Sequence, residues 1–314
     1  MNYDLIIDSK PQGVVIALLE DKRLIELHKE KRGSSFSVGD IYLGRIKKVM
    51  PGLNAAFVGV GYEKDAFLHY FDLGPQARSF MKFTKQVLSG KQKHSKLNYF
   101  KPEQDIEKTG KITEVLQQNQ KILVQVAKEP ISTKGPRITT EISIAGKYVV
   151  LIPFSNKVSI SQKIKSSEER KRLLKIVKSL CPKNFGVIIR TAATGKEVSE
   201  LDDDLKDLME KWHQCFEQLR SAEPPQRVLG ELNRSSAILR DMLTHSFNNI
   251  YTSDPNLQEE LNTFMDTTTQ DKQKIVKPYK GTQPIFEFFG IEKQIKASFG
   301  KTVTMRGGAY LVIE

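Results

Sequence analysis

The stretch "SVGDIYLGRIKKVMPGLNAAFVGVGYEKDAFLHY", residues 37–70, constrains the fold more than any other. Its apolar runs are short, and Gly39, Gly44, Gly52, Gly59 and Gly61 punctuate them. Short strands this closely spaced predict a small closed barrel, the one arrangement that leaves no strand edge unpaired. The rhythm stops near residue 70 and resumes at "GKITEVLQQNQKILVQVAKE", residues 110–129. An insertion therefore interrupts the barrel. From Arg78 to Lys101 it carries seven basic residues and no acid, with Phe80, Phe83, Tyr99 and Phe100 interleaved. Such a run is either a solvated face or a phosphate-contacting surface. The whole-chain charge of +12 gives a field that attracts polyanions.

On either side the period changes. Residues 3–8 and 13–30 alternate and turn at "EDKR", which predicts a three-stranded antiparallel meander. Further strands are expected within 138–164 and at 186–191. "SSEERKRLLKIVKSL" opens with Ser166 and Glu169 at capping-box spacing and reads as a helix. Val198, Leu201, Leu205, Leu208, Trp212, Phe216 and Leu219 recur every three or four residues, so 197–220 is a second amphipathic helix. Asp202, Asp203, Asp204 and Asp207 fall near its start, where the dipole favours acids, and read as a solvated row rather than a metal site. After Pro224-Pro225 we expect a helix (234–244), a strand (247–252), a helix (255–266) and a last αβ pair ending at Glu314. No internal repeat is visible. Cys181 and Cys215 fit no metal-ligand spacing. No apolar run approaches transmembrane length, and "MNYDLIIDSK" lacks a signal-peptide pattern, so the expectation is a cytoplasmic protein without a membrane partner.

One stretch poses a chemical question. "GVIIRTAATGKE", residues 186–197, is a strand that ends by presenting Arg190 and Thr191 before a turn of small residues. The guanidinium serves either a carboxylate inside the protein or an anion from outside.

Four segments together carry a resemblance: "IYLGRIKKVMPGLNAAFVGVGYEKDAFL", "STKGPRITTEISIAGKYVVLIP", "GVIIRTAATGK" and "GGAYLVIE". The chain resembles, from end to end, the N-terminal portion of the bacterial ribonuclease E/G family, its G-type members more than its E-type ones. The resemblance implies an α+β, multi-domain chain. An RNase H-like fold is split between 1–36 and 225–280. Inserted in it are an OB-fold RNA-binding barrel (37–137, with the basic insertion at 71–101) and a 5′-sensor subdomain (138–224). Residues 281–314 begin a DNase I-like unit.

The same resemblance assigns roles. Read from the residues alone, Phe57 and Phe67 are placed in the barrel core; the resemblance reverses this, since both match the family's base-stacking barrel aromatics. Lys134, in "STKG", matches a basic RNA contact. Arg190 and Thr191 match a pocket for a 5′-terminal monophosphate, with Gly146 and Val150 lining it through backbone groups. A guanidinium fork and a hydroxyl suit phosphate oxygens. Gln162 departs from the pattern, standing where the family can place an arginine. The implied activity is Mg²⁺-dependent hydrolysis of single-stranded RNA, preferring 5′-monophosphate ends, in ribosomal RNA maturation or RNA decay. Family members form homo-oligomers. The metal-holding aspartates would follow "GGAYLVIE", and Glu314 is not promoted to a ligand. The expectation is thus a fragment of a longer chain that has no catalytic residue and no bound metal of its own. Two function classes stay open, an endoribonuclease and an RNA-binding, end-sensing module without chemistry.

Overall fold

The structure, a computed structural model, describes residues 2–10, 13–31, 36–230, 247–268, 275–305 and 308–312. The helix expected at 234–244 and Glu314 lie outside them. The chain divides into two compact units, Met1–Ser34 with Leu232–Glu314, and Ser35–Glu231. The first strands are β1 (Tyr3–Lys10), β2 (Gly13–Glu20) and β3 (Arg23–Lys31), the antiparallel meander that alternation predicts. Asp21 (φ 46°) and Lys22 (φ 69°) turn it in the left-handed region, whose twist suits a two-residue hairpin loop.

The second unit begins with β4 (Ile41–Met50), β5 (Ala55–Gly59) and β6 (Ala66–His69). After helix α1 (Ala77–Leu88) come β7 (Lys121–Lys128) and β8 (Arg137–Thr139). Hydrogen bonding runs β4-β5-β6-β8-β7 and returns from β7 to β4, so five strands close into a barrel. Ile46, Ala56, Val58, Ala66, Leu68, Val124 and Ile138 fill its interior. The basic insertion is not a flat charged loop. Phe80, Phe83 and Phe100 are buried, and of the four aromatics between Arg78 and Lys101 only Tyr99 stands in solvent. These rings fix α1 to the core and leave the cations outside.

Beside the barrel lies a mixed sheet of β9 (Ile144–Ala145), β10 (Val149–Pro153), β11 (Val158–Ile160) and β12 (Phe185–Ile189), in the order β11-β12-β10-β9. Between its last two strands runs α2 (Ser167–Leu180), and α3 (Val198–Arg220) follows. Ser166 caps α2 by accepting from the Glu169 amide at 3.3 Å, as its spacing predicts. The inner face of the sheet packs with Leu201, Leu205, Leu208 and Trp212 of α3 in one cluster that also takes in Ile41, Leu43 and Leu123 of the barrel. Barrel and sheet therefore share a core. Strand β13 (Gln226–Leu229) runs antiparallel to the start of β4.

The first unit is completed by β14 (Phe247–Thr252), α4 (Pro255–Thr268) and β15 (Val276–Pro278). Its sheet has the order β15-β14-β1-β2-β3, with β14 parallel to β1. Leu5, Ile7, Ile16 and Leu18 cluster with Leu257 and Leu261 of α4. Ile6, Ala17 and Leu19, on the opposite face, cluster with residues of α5 (Ile285–Phe288) and α6 (Ile291–Ser298). A sheet apolar on both faces thus receives helices on both. A hairpin of β16 (Thr302–Thr304) and β17 (Tyr310–Val312) follows, so the expected last αβ pair is two short helices and a hairpin. Among the described residues no helix is long and apolar enough to cross a membrane.

Candidate nucleic-acid interface

On β5 and β6 the burial alternates, with Ala56, Val58, Ala66 and Leu68 inside. Phe57 and Phe67 take the intervening positions and so face outward, half-buried. They are direct cross-strand partners, and their rings meet edge-on with centroids 5.8 Å apart. Register extends this row to both sides. Lys48 of β4 pairs with Phe57, and Arg137 of β8 pairs with Phe67. Two aromatic rings are thereby flanked by two exposed cations on the outside of the barrel. Arg137 Nε and Nη2 each donate to Asp72 at 2.9 Å, which also raises its pKa. Base stacking on the rings with phosphates at the cations is what this arrangement can do chemically.

Lys134 sits at the end of a tight turn in which Ile131 and Lys134 exchange backbone hydrogen bonds of 3.3 and 3.0 Å. Its side chain is exposed. Gly135 places the turn against the chain just before β6, since a Cβ there would collide with the Asp65 carbonyl. Immediately after it, the Pro136 carbonyl accepts from the Phe67 amide at 2.9 Å. The lysine loop and the aromatic pair are therefore held by the same strand.

The second group gathers at one end of the four-stranded sheet. Val150 pairs with Ala145 and Ile188. Arg190 follows β12; its amide donates to the Tyr148 carbonyl at 2.8 Å and its Nη1 to the Gly146 carbonyl at 2.6 Å. Thr191 is exposed and opens a 3-10 turn, Thr191–Ala193. The Ser161 amide donates to the Ile189 carbonyl at 2.9 Å, which brings the turn with exposed Gln162 and Lys163 to this end. All four sensor residues expected from sequence thus meet here.

Asp204, read from sequence as one of a solvated acidic row, instead organises this end, because the fold brings three backbone amides to its carboxylate. Asp204 Oδ1 accepts from the Lys147 amide at 2.9 Å, and Oδ2 from the amides of Tyr148 and Val149 at 2.8 and 2.9 Å. Gly146 lies so close that a Cβ would stand 2.7 Å from both carboxylate oxygens. The donors of the 147–149 turn are spent on this acid. Above it, the ammonium groups of Lys147 and Lys196 lie 5.1 and 5.4 Å from the centre of the Tyr148 ring. Burial, and then the neighbouring Lys196, push the Lys147 pKa down. Lys196 itself is raised by its hydrogen bond to Glu200. On the far side, Glu169 pairs with Arg172 and accepts from the Gly195 amide, which holds its carboxyl at about 2.

Asp202 and Asp203 pair with Lys206 at 2.8 and 3.6 Å. Among the described residues no cluster of three or more His, Cys, Asp or Glu could hold a metal ion. Lys48, Arg137 and Asp204 were not legible in advance. The first two depend on cross-strand register, and the third on a contact spanning more than 50 residues of chain.

The sequence profile of the Ribonuclease E/G family matches residues 143–314. Ribonuclease G of Escherichia coli (strain K12) is 32% identical over 314 residues, covering 100% of this chain and 60% of that protein. Ribonuclease G of Haemophilus influenzae is 34% identical over 311 residues, 99% of this chain and 60% of its own length. Ribonuclease E of Nostoc sp. is 31% identical over 281 residues, covering 88% of this chain and 37% of that protein. The chain spans about 60% of the length of the G-type relatives it matches. With the family profile covering more than half of its residues, the chain belongs to the ribonuclease E/G family.

Proposed function

We propose that residues 1–314 are the RNA-binding and end-sensing part of a G-type endoribonuclease acting on single-stranded RNA, in ribosomal RNA maturation or RNA decay. The observation that carries this reading is the row Lys48, Phe57, Phe67, Arg137 on the outer face of a closed barrel. Lys134 adds a phosphate contact beside it. Gly146, Val150, Arg190 and Thr191 receive the 5′-monophosphate, the guanidinium and hydroxyl supplying donors that a 5′-hydroxyl end cannot use. In this reading 1–36 with 225–280 is the RNase H-like part, 37–137 the OB-fold barrel, 138–224 the sensor and 281–314 the start of a DNase I-like unit. The compartment is the cytoplasm and the whole protein a homo-oligomer.

Magnesium would activate water and stabilise the charge developing on phosphate. The described residues do not fit it: no group of three or more His, Cys, Asp or Glu among them could hold an ion, and Asp202, Asp203 and Asp204 are taken by Lys206 and by backbone amides. No step of hydrolysis is therefore assigned to them. What these residues do is bind and orient the strand.

The test uses one RNA sequence with a 5′-monophosphate or a 5′-hydroxyl. The expected result is tighter binding of the monophosphate by roughly tenfold, in the range of one charge-assisted hydrogen bond. Arg190→Ala should erase that difference and leave 5′-hydroxyl binding intact. Equal binding of the two RNAs by the unaltered chain would overturn the sensor reading. Affinity that stays flat between low and moderate salt would overturn the RNA-binding reading itself.

A further inference from the structure

The aromatic surface does not end at Phe67. His69 stands two residues further along β6, on the same outward face, with its ring 6.4 Å from that of Phe67. Phe71 follows, its ring 5.0 Å from His69 and 74% of its surface in solvent. Four rings, Phe57, Phe67, His69 and Phe71, form a continuous track with steps of 5.8, 6.4 and 5.0 Å. A single exposed phenylalanine needs no explanation, but a contiguous row does.

The track is held rigid by local chemistry. His69 Nδ1 accepts from the Phe71 amide at 3.1 Å, and Asp72 Oδ2 accepts from the His69 amide at 3.3 Å. This reciprocal box fixes the turn that carries Phe71. Arg137 grips Asp72 with two hydrogen bonds and so neutralises the one carboxylate at the turn. Because Nδ1 is an acceptor here, the neutral imidazole carries its proton on Nε2.

We propose that His69 and Phe71 extend the base-stacking surface, so that a single strand lies along β6 and places further bases on these two rings. This rests on the proposed RNA interface at Phe57 and Phe67 and deepens it. A nucleic-acid strand is the occupant because Lys48 and Arg137 border the rings, because the exposed Lys134 ends a turn held against the start of β6, and because stacking accepts every base.

Uridine oligomers of increasing length with 5′-hydroxyl ends, bound to the unaltered chain and to variants, distinguish the levels of the claim. Phe71→Ala should leave the shortest bound oligomers unaffected and cost roughly tenfold in affinity once the strand is long enough to reach it, as expected for one lost stack. Phe71→Trp should restore the long-strand affinity. His69→Ala should show its loss at a shorter length than Phe71→Ala. An equal loss at every length would overturn the track, since Phe71 would then act through the fold. Loss from Phe57→Ala with none from Phe71→Ala at any length would overturn the extension alone. No loss from either would overturn the interface and the extension together. Sedimentation of the same variants covers another occupant: smaller species with unchanged RNA affinity would assign the rings to contact between copies, against the proposal.

Discussion

The barrel face and the sheet end present polar and aromatic groups in opposite states. On the barrel, Phe57 and Phe67 touch each other across two strands and keep their outer surfaces in solvent, and Lys48 and Arg137 flank them. At the sheet end, the amides of Lys147, Tyr148 and Val149 are already taken by Asp204, and Arg190 already donates to Gly146. One region is an open aromatic surface with cations beside it. The other is a loop built around an internal anion, with a guanidinium locked at its rim. In the function proposed above, the barrel face supplies affinity and the sheet end discrimination, and a pre-formed rim keeps the reorganisation cost of that second role small.

The sharpest way to break this contrast is Asp204→Ala. Three charge-assisted hydrogen bonds to backbone amides would be lost and their donors left unmade, so stability should fall by about 2–4 kcal/mol in urea titration. An unchanged midpoint would mean that the acid does not hold the loop, and the contrast between the two regions would disappear. Next in size are Phe57→Ala and Phe67→Ala. Each should weaken single-strand binding by about 1–3 kcal/mol while stability drops by no more than about 1 kcal/mol, the scale of one aromatic edge contact. The double variant should lose less than the sum, because each single change already removes the shared contact. A cooperative loss of stability of several kcal/mol would return both rings to the core.

Lys48→Ala sharpens the comparison electrostatically. The slope of log affinity against log salt should shrink by about 0.7, one phosphate contact on a single strand, with stability unaffected. An unaltered slope would remove Lys48 from the interface. The smallest effect belongs to the sheet end. Glu169 has a folded value of about 2 against an ordinary 4.5, lowered first by the Arg172 hydrogen bond and then by the Gly195 amide. Its stabilisation is therefore complete above about 4.5 and is lost as the pH falls toward 2. Glu169→Gln should flatten the acid limb of the stability curve in that window; a limb of unchanged steepness would show that the pair contributes nothing.

The barrel was legible because short strands leave few ways to satisfy their edges, and the long helix because Leu201 to Leu219 keep one stripe. The direction of Phe57 was not. In "AAFVGV" both faces are apolar, and the narrow interior takes Ala56 and Val58 while the larger ring goes outside, the reverse of the usual size order. Lys48 was hidden by a bulge between Ile46 and Lys48 that shifts the register of β4 against β5. Asp204 shares a run with Asp202 and Asp203, which do pair with a lysine on the helix surface. Nothing local separates the third aspartate from them; only the fold brings the 147–149 amides to it. The aromatics of the basic insertion misdirect in the other way, since Phe80, Phe83 and Phe100 serve packing.

The parallel pairing of β1 with β14 bears on how such a chain is made. Tyr3 to Ile7 align with Phe247 to Thr252, and the whole of the Ser35–Glu231 unit is synthesised between them. At ribosomal speeds of roughly 5–20 residues per second the interval is on the order of 10–50 s. During that time β1 is an unpaired edge of strongly apolar sequence, exposed to any other nascent strand. β1 thus waits far longer for β14 than for β2, and the risk of misassembly at that edge rises with the translation time of everything between.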